Sequence, residues 1–463
     1  MHDTSASISR TAAAAPPRRQ HLALVTLCLA VLIAQIDSSV VNLATRSIGD
    51  HFHAGIAALQ WVVDSYNLVY ASLLLSGGLL ADLYGRRMVF ASGAALFTAA
   101  SAVCAFAPSI GVLLGGRALT GAGAAMLIPA SLAIIRVVWP DERARGRALG
   151  IWAGCNGIGL AIGPTLGGFL INHLGWRSIF LVVVPLGLAA VVLALRVIPE
   201  TADPKERHFD PEAQLLGALA LGGFALAAIE SHESLRTAGA ALVAALLCAA
   251  WFVRIEARRG DAALVPLDLF KLRPLRGSVA GTAGMTFGMY GTVFVLPLAW
   301  FSAGRLDVIG AGLALMPTAL CFIAVSPFSG ALATRFGPRL MTGGGVGVIA
   351  CGLATIAATA QLPTILGEEI GLALTGIGMG LATGPLMGAA VGAVPAARAG
   401  TASSLINVAR MSGATIGVAV MGAVYAAAGG TPGLRLAMAL GAAVQLTGAI
   451  IAWTTTPAIA RKR

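Results

Sequence analysis

The chain has 463 residues, of which 57% are hydrophobic and only 11% charged, and its mean hydropathy is +0.85. A soluble globular domain carries roughly 25% charged residues, so too few charges remain here to coat a water-facing surface, and a soluble fold is excluded. The net charge of +11 forms no basic patch and points to no nucleic-acid partner, because the basic residues sit in short clusters between apolar runs, as membrane topology demands.

Residues 1–20 are rich in Ser, Ala, Pro and Arg and are expected to form a disordered cytoplasmic tail. The run Leu22–Ile36 has the look of a signal-peptide core. It lacks a convincing cleavage site and leads into more apolar sequence, so it is read as a retained first helix. Apolar runs follow in order at 22–44, 60–81, 88–107, 110–137, 148–171, 178–197, 213–230, 237–255, 277–301, 309–332, 340–360, 363–389, 400–427 and 434–456. Most are long enough to cross a ~30 Å hydrocarbon core as helix. The seventh and eighth are short, which leaves a twelve-span reading beside the fourteen-span one.

The basic residues favour fourteen. With the N-terminus inside and strict alternation, inside segments hold 24 of the 31 Lys and Arg, among them Arg86, Arg87, Lys205, Arg207 and Arg461–Arg463. Dropping one short span would invert the second half and spoil that asymmetry. The expected fold is an all-α integral membrane protein of about fourteen transmembrane helices, with both termini cytoplasmic. The 58 glycines suit helices that must approach closely in lipid. The six cysteines all fall in apolar runs without CxxC spacing and read as small buried hydrophobes.

The chain echoes itself. Gly78–Arg87 reads GLLADLYGRR and Gly330–Arg339 reads GALATRFGPR, while Thr120–Gly123 and Thr375–Gly378 read TGAG and TGIG. The repeat divides the chain into a tail at 1–20, a six-helix half at 21–197, an inserted two-helix segment at 198–276 and a second six-helix half at 277–463. Paired six-helix halves are the pattern of transporters that rock around a midplane site.

A charge inside a span costs roughly 2.5–3.5 kcal/mol on insertion scales and is a functional candidate by default. Asp37 on span 1 and Arg117 on span 4 lie at similar depth, about 10 Å from the outer ends of their runs, with Asp64 on span 2 slightly shallower. Two acids and one base on three neighbouring helices predict one buried network. It is either a structural ion pair or a proton switch in which Asp37 binds a proton and loosens Arg117. Glu230, Glu368 and Glu369 stand near outer ends, as interface acids or as attraction for a cationic substrate. Arg410, deeper in span 13, has no acidic neighbour in sequence and calls for a partner across the bundle or an anionic group. Glycines at 376, 380, 384, 388 and 392 predict a close-packing face on span 12. His51 and His53 are too few ligands for a metal site.

Four stretches then resemble a known family. They are Gly78, Asp82, Gly85, Arg86 and Arg87 after span 2; Arg117, Thr120, Gly121 and Gly123 in span 4; Gly159, Gly163, Pro164, Gly167 and Gly168 in span 5; and Ile36–Ala44, with Asp37 and Asn42, in span 1. With them the chain resembles the major facilitator superfamily, and within it the fourteen-span drug:proton antiporters. Departures are Thr45-Arg46 where the family has Leu-Pro, and Ser178 and Val183 in place of Trp and Asn. The resemblance implies a conformational latch at the loop after span 2. There Gly85 permits a tight turn and Asp82 pairs with a basic neighbour or a helix N-terminus. Thr334 replaces Asp82 in the second copy, so the latch is expected on one side only.

It further implies that Arg117 takes part in proton transfer and that the span 5 motif belongs to antiporters. Asn42 of the span 1 motif, and Glu368, Glu369 and Arg410 by their position along the spans, are the substrate candidates. The activity implied is secondary active export of hydrophobic, often cationic, small molecules in exchange for protons, by a monomer in a bacterial cytoplasmic membrane. The alternative is a proton-coupled exporter of one metabolite, siderophore or antibiotic. The partners expected are a small-molecule substrate, protons and the lipid bilayer, with the proton gradient in place of a cofactor. No GxxxxGK[ST] loop exists for ATP coupling, and no clustered His or acidic residues suggest an enzyme or a metal.

Overall fold

The structure is a computed structural model that describes residues 17–202, 210–232, 234–260, 263, 265, 267–395 and 398–458. The expected tail up to residue 16, the basic pair Lys205 and Arg207, and Arg461–Arg463 lie outside the described residues. Among those described there are helices and no strand. The long helices, in chain order, are α1 Pro17–Phe52, α2 Ile56–Tyr84, α3 Arg86–Ala105, α4 Ile110–Val138, α5 Glu142–Leu174, α6 Ser178–Val197, α7 Pro211–Ile229, α8 Leu235–Arg259, α9 Arg273–Ser302, α10 Val308–Phe336, α11 Leu340–Thr359, α12 Leu366–Gly392, α13 Ala399–Ala428 and α14 Gly430–Thr455. Twelve of them are long and apolar enough to cross a membrane; α2 passes the same test as two pieces, Ile56–Leu74 and Ser76–Tyr84, bent by 51°. Helix α5 is 33 residues long.

Local chemistry sets the boundaries. Pro17 opens α1, where proline's missing N–H costs nothing, so the helix starts inside the stretch expected to be tail. Asp141, Asp210, Ser234 and Asp307 each cap a helix by accepting from a backbone N–H three residues on. Pro327 lies in the short 3-10 turn Ser326–Phe328 that interrupts α10. Gly85 (φ 106°) and Gly337 (φ 91°) turn the chain at matching positions of the two echoes, in backbone conformations that L side chains resist.

The pairing of helices repeats between the halves. Within the first, α1 packs on α5 and α6, α2 on α4, and α3 on α4 and α6; within the second, α9 packs on α13 and α14, α10 on α12, and α11 on α12 and α14. Between them, α2 meets α13 and α5 meets α10, two seams that exchange under the same correspondence. Helices α7 and α8 pack on each other, and α7 also lies against α2 and α13. Val243, Leu246, Leu247 and Trp251 of α8 are exposed, as lipid-facing side chains must be.

Glycines permit the close approaches. Those at 376, 380 and 384 face α10, with a Cβ on Gly380 falling 2.9 Å from Val325 Cβ, whereas Gly388 and Gly392 meet nothing within 4 Å. The expected packing face of span 12 therefore covers only its first half.

A Cβ on Gly85 would sit 2.7 Å from the Glu200 carboxylate, on a positive φ, whereas one on Gly78 meets nothing nearer than Pro129 Cβ at 3.5 Å. Gly85→Ala should destabilise by about 1–3 kcal/mol and lower the Tm of the purified protein. Gly78→Ala should leave it unchanged or raise it. Equal shifts in the two variants would contradict the assignment.

Candidate functional site

The core of the site is built where three helices of the first half meet. Arg117 of α4 is 1% exposed, and its Nη1 donates to Asp37 Oδ2 of α1 at 2.6 Å. Its Nε donates to the Val62 carbonyl of α2 at 3.1 Å, and the guanidinium lies over the Tyr66 ring, 4.7 Å from the centroid. Thr120, one turn along α4, is 3.5 Å from Nη1. A buried pair like this holds together only because desolvation of both ions is offset by their attraction and by the extra hydrogen bonds. The second carboxylate oxygen of Asp37, Oδ1, has no partner.

The span 5 glycines form the floor beneath Asp37. A Cβ on Gly159 would meet Gln35 at 2.7 Å, one on Gly163 would collide with the Ser39 hydroxyl, and one on Gly167 would press on Val40. These glycines let α5 lie flat against the turn of α1 that carries the acid. Gly168 points elsewhere, onto the backbone of Val308 and Ile309 in α10. The side chain of Pro164 lies outside the described residues.

Asp64 does not join the pair. Gln60, one turn before it, donates across to the Val418 and Ala419 carbonyls of α13, and Leu68, one turn after it, packs on Gly222 of α7. Asp64 therefore faces α13 and α7, whereas Tyr66, two residues on, faces Arg117. The single network of two acids and one base expected from depth is not formed, because depth carries no information about which way a helix face points. Asp64 is fully buried, and neither of its oxygens has a hydrogen-bond partner.

The latch residues pair as expected, with an unforeseen member. Asp82 accepts from Arg86 Nε (3.2 Å) and Nη2 (2.9 Å), so its partner is the basic neighbour. The N-terminus of α3 is taken by Glu200 instead, which accepts from the backbone N–H of Arg87 and of Met88, each at 3.1 Å, and pairs with Arg87 Nε at 3.5 Å. A carboxylate suits the positive end of a helix. The end of α6 is thereby tied to the α2–α3 turn. In the second half Arg339 Nε donates to the Thr456 carbonyl at 3.0 Å, while Thr334 bonds only its own helix. Among the described residues, the ion pairs at this turn belong to the first half alone.

The substrate candidates fall in different places. Asn42 is buried and donates to the Ser38 carbonyl at 3.1 Å. Glu368 is not an open outer-end acid. It is fully buried, with one oxygen held by Trp300 Nε1 at 2.5 Å and the other by Arg305 Nη1 at 2.7 Å, because Arg305 folds back from the α9–α10 turn. Glu369 is half-buried beside it. Arg410 interacts with Tyr70 of α2, across the seam between the halves, and Tyr290 of α9 stands near the same ring. Arg410 has no ion pair among the described residues, and its Nε is buried without a partner. Tyr66, Tyr70 and Tyr290 thus lie between the first half's Arg117 and the second half's Arg410.

Side-chain contacts joining the halves lie mainly toward the end of the bundle away from the chain termini. There Arg46 of α1 reaches the Phe301 carbonyl of α9 at 3.4 Å, Gln60 holds α13, and Gly168 abuts α10. Tyr70–Arg410 is deeper. The molecule is therefore in a conformation closed at that far end.

A family model described as Major Facilitator Superfamily matches residues 27–418. The multidrug resistance protein Stp of Mycobacterium tuberculosis is 36% identical over 414 residues, covering 89% of this chain and 76% of that protein. The multidrug efflux pump LfrA of Mycolicibacterium smegmatis is 33% identical over 413 residues, 89% of this chain and 82% of the pump. The methylenomycin A resistance protein of Bacillus subtilis is 33% identical over 411 residues, 87% and 86% of the two chains. With its apolar helices and such relatives, the protein is a multi-pass protein of a bacterial cell membrane and a transporter rather than an enzyme. The chain belongs to the major facilitator superfamily.

Proposed function

We propose that the protein is a secondary active exporter of apolar, often cationic, small molecules, driven by protons through alternating access. The observation that carries this reading is the Asp37–Arg117 pair, an acid and a base buried together on the two helices where sequence placed them at one depth. The names of the relatives, a multidrug resistance protein and a multidrug efflux pump, support drugs as the cargo class. The distribution of Lys and Arg supports fourteen spans with the termini-side end in the cytoplasm. We divide the chain into halves at 21–197 and 277–463, joined by the 198–276 insertion, and assign a monomer with no cofactor beyond the gradient.

In this orientation the far end is the outside, and the conformation described is closed to it. When the far end opens, Asp37 is drawn from Arg117 and takes a proton from outside. When it closes, the pair re-forms and the proton leaves to the inside. Charge on Asp37 is thereby linked to closure. Arg117 keeps the Val62 carbonyl and the Tyr66 face in either state, which holds it in place while its ionic partner changes. Asp82, Arg86, Arg87 and Glu200 tie the cytoplasmic ends of α2, α3 and α6 together, while α1 shifts against α4.

A second reading, export of one specific metabolite or antibiotic, is supported by the relative named for methylenomycin A resistance. Arg410, without an ion pair among the described residues, suits a substrate with a fixed acceptor group.

In everted vesicles with an inside-acid gradient, several unrelated cationic compounds should discharge the gradient through the wild type, and Asp37→Asn should abolish this. Wild-type discharge by the variant would contradict the coupling role. Arg410→Gln should abolish export of substrates bearing an acid or carbonyl acceptor and spare purely apolar cations, measured by dye and drug accumulation in cells. Uniform loss of all substrates would assign Arg410 to holding the halves together.

A further inference from the structure

The seam between α2 and α13 contains more unsatisfied oxygen than the Asp37–Arg117 site. Gln60, Asp64 and Asn67 follow one another along one face of α2. Gln60 Nε2 donates to Val418 (3.2 Å) and Ala419 (2.9 Å) on α13. The two helices run antiparallel, so one turn along α2 from Gln60 to Asp64 matches one turn back along α13 to Thr415. These four side chains are 0%, 0%, 1% and 0% exposed for Gln60, Asp64, Asn67 and Thr415. Among the described residues, Gln60 Oε1, both oxygens of Asp64, Thr415 Oγ1 and both the oxygen and the amide nitrogen of Asn67 are buried without a hydrogen-bond partner, the Asn67 amide standing beside the Asp64 carboxylate. Native proteins leave few such atoms, because each unsatisfied group keeps its full desolvation cost.

The lipid side of this seam is sealed by the insertion. Ala57 and Trp61 of α2 pack with Ala225, Ala228 and Ile229 of α7 and with Ala419 of α13. Leu68 closes on Gly222 one turn further along. The corresponding seam, α5 on α10, is lined by Leu166, Leu170, Val308 and Ala311 around Gly168, and among the described residues no inserted helix covers it. The helix pair added to the two halves thus covers the seam that carries a charge. An acid facing lipid would be costly, which accounts for where α7 sits.

We propose that this seam binds a small monovalent cation of the sodium class, coordinated by Asp64 with Gln60, Asn67 and Thr415 and enclosed by α7. The donors are hard oxygens, which select alkali and alkaline-earth ions over soft metals. One carboxylate among neutral donors matches a single positive charge. A proton on Asp64 would satisfy only one neighbouring oxygen, whereas a cation meets several at once. The site is separate from Asp37, whose partner Arg117 contacts the opposite face of α2.

The test uses purified full-length protein in detergent, with NaCl replaced by choline chloride at constant ionic strength. Radioactive sodium should bind saturably, Li+ should compete, and Na+ should raise the Tm. Asp64→Asn should abolish both effects, and Thr415→Val should weaken sodium binding about tenfold. If Asp64→Asn does not fold, Thr415→Val alone decides by its binding curve. No sodium-specific binding over choline, binding unchanged in Asp64→Asn and Thr415→Val, or stabilisation by acid but by no alkali cation would each overturn the proposal. Binding is read without transport, so it stands apart from the exporter reading.

Discussion

A charge removed from water must be compensated within the protein, and in a bundle with this little polar sequence that constraint positions the helices. Arg117 shows it most fully. One guanidinium draws in the carboxylate of α1, a carbonyl of α2 and an aromatic face of α2, and so fixes three helices at one point. Breaking such a pair from one side costs about 3–5 kcal/mol, because the other charge is stranded.

The second half answers with a pair of its own, with the charges exchanged. In the first half the acid is on α1 and the base on α4. In the second, the base Arg305 follows α9, the counterpart of α1, and the acid Glu368 is on α12, the counterpart of α4. Trp300 adds a third hydrogen-bonding partner to this second pair. One half is therefore stapled near its far end by Arg305 and Glu368, and the other by Asp37 and Arg117. Glycine-lined contacts, α5 on α1 within the first half and α5 on α10 between the halves, bring these helices close together.

Much of this was legible in the sequence. The echoes separated the halves, and the structure expresses them as matching helix pairs. Equal depth brought Asp37 to Arg117, even though α1 continues to Phe52, well past the apolar run that set the estimate. The same reasoning misplaced Asp64, because depth is a coordinate along a helix and says nothing about azimuth. The flanking pattern did hold that information: Gln60 and Leu68 share the face of Asp64, and Tyr66 does not. Glu200 was invisible because its partners are more than a hundred residues away, although a lone acid directly after span 6, in a basic region, was a signal. Glu368 read as an open surface acid because the return of Arg305 depends on the shape of a turn.

The central claim is that the charge on Asp37, held by Arg117, keeps the far end closed. Spin labels on the α1–α2 turn and the α9–α10 turn would report the far-end separation of the halves by pulsed dipolar spectroscopy. In the wild type at neutral pH the short separation should dominate. In Asp37→Asn a second population at longer distance should appear, as it should in the wild type on acidification. An unchanged distance distribution in Asp37→Asn would contradict the account.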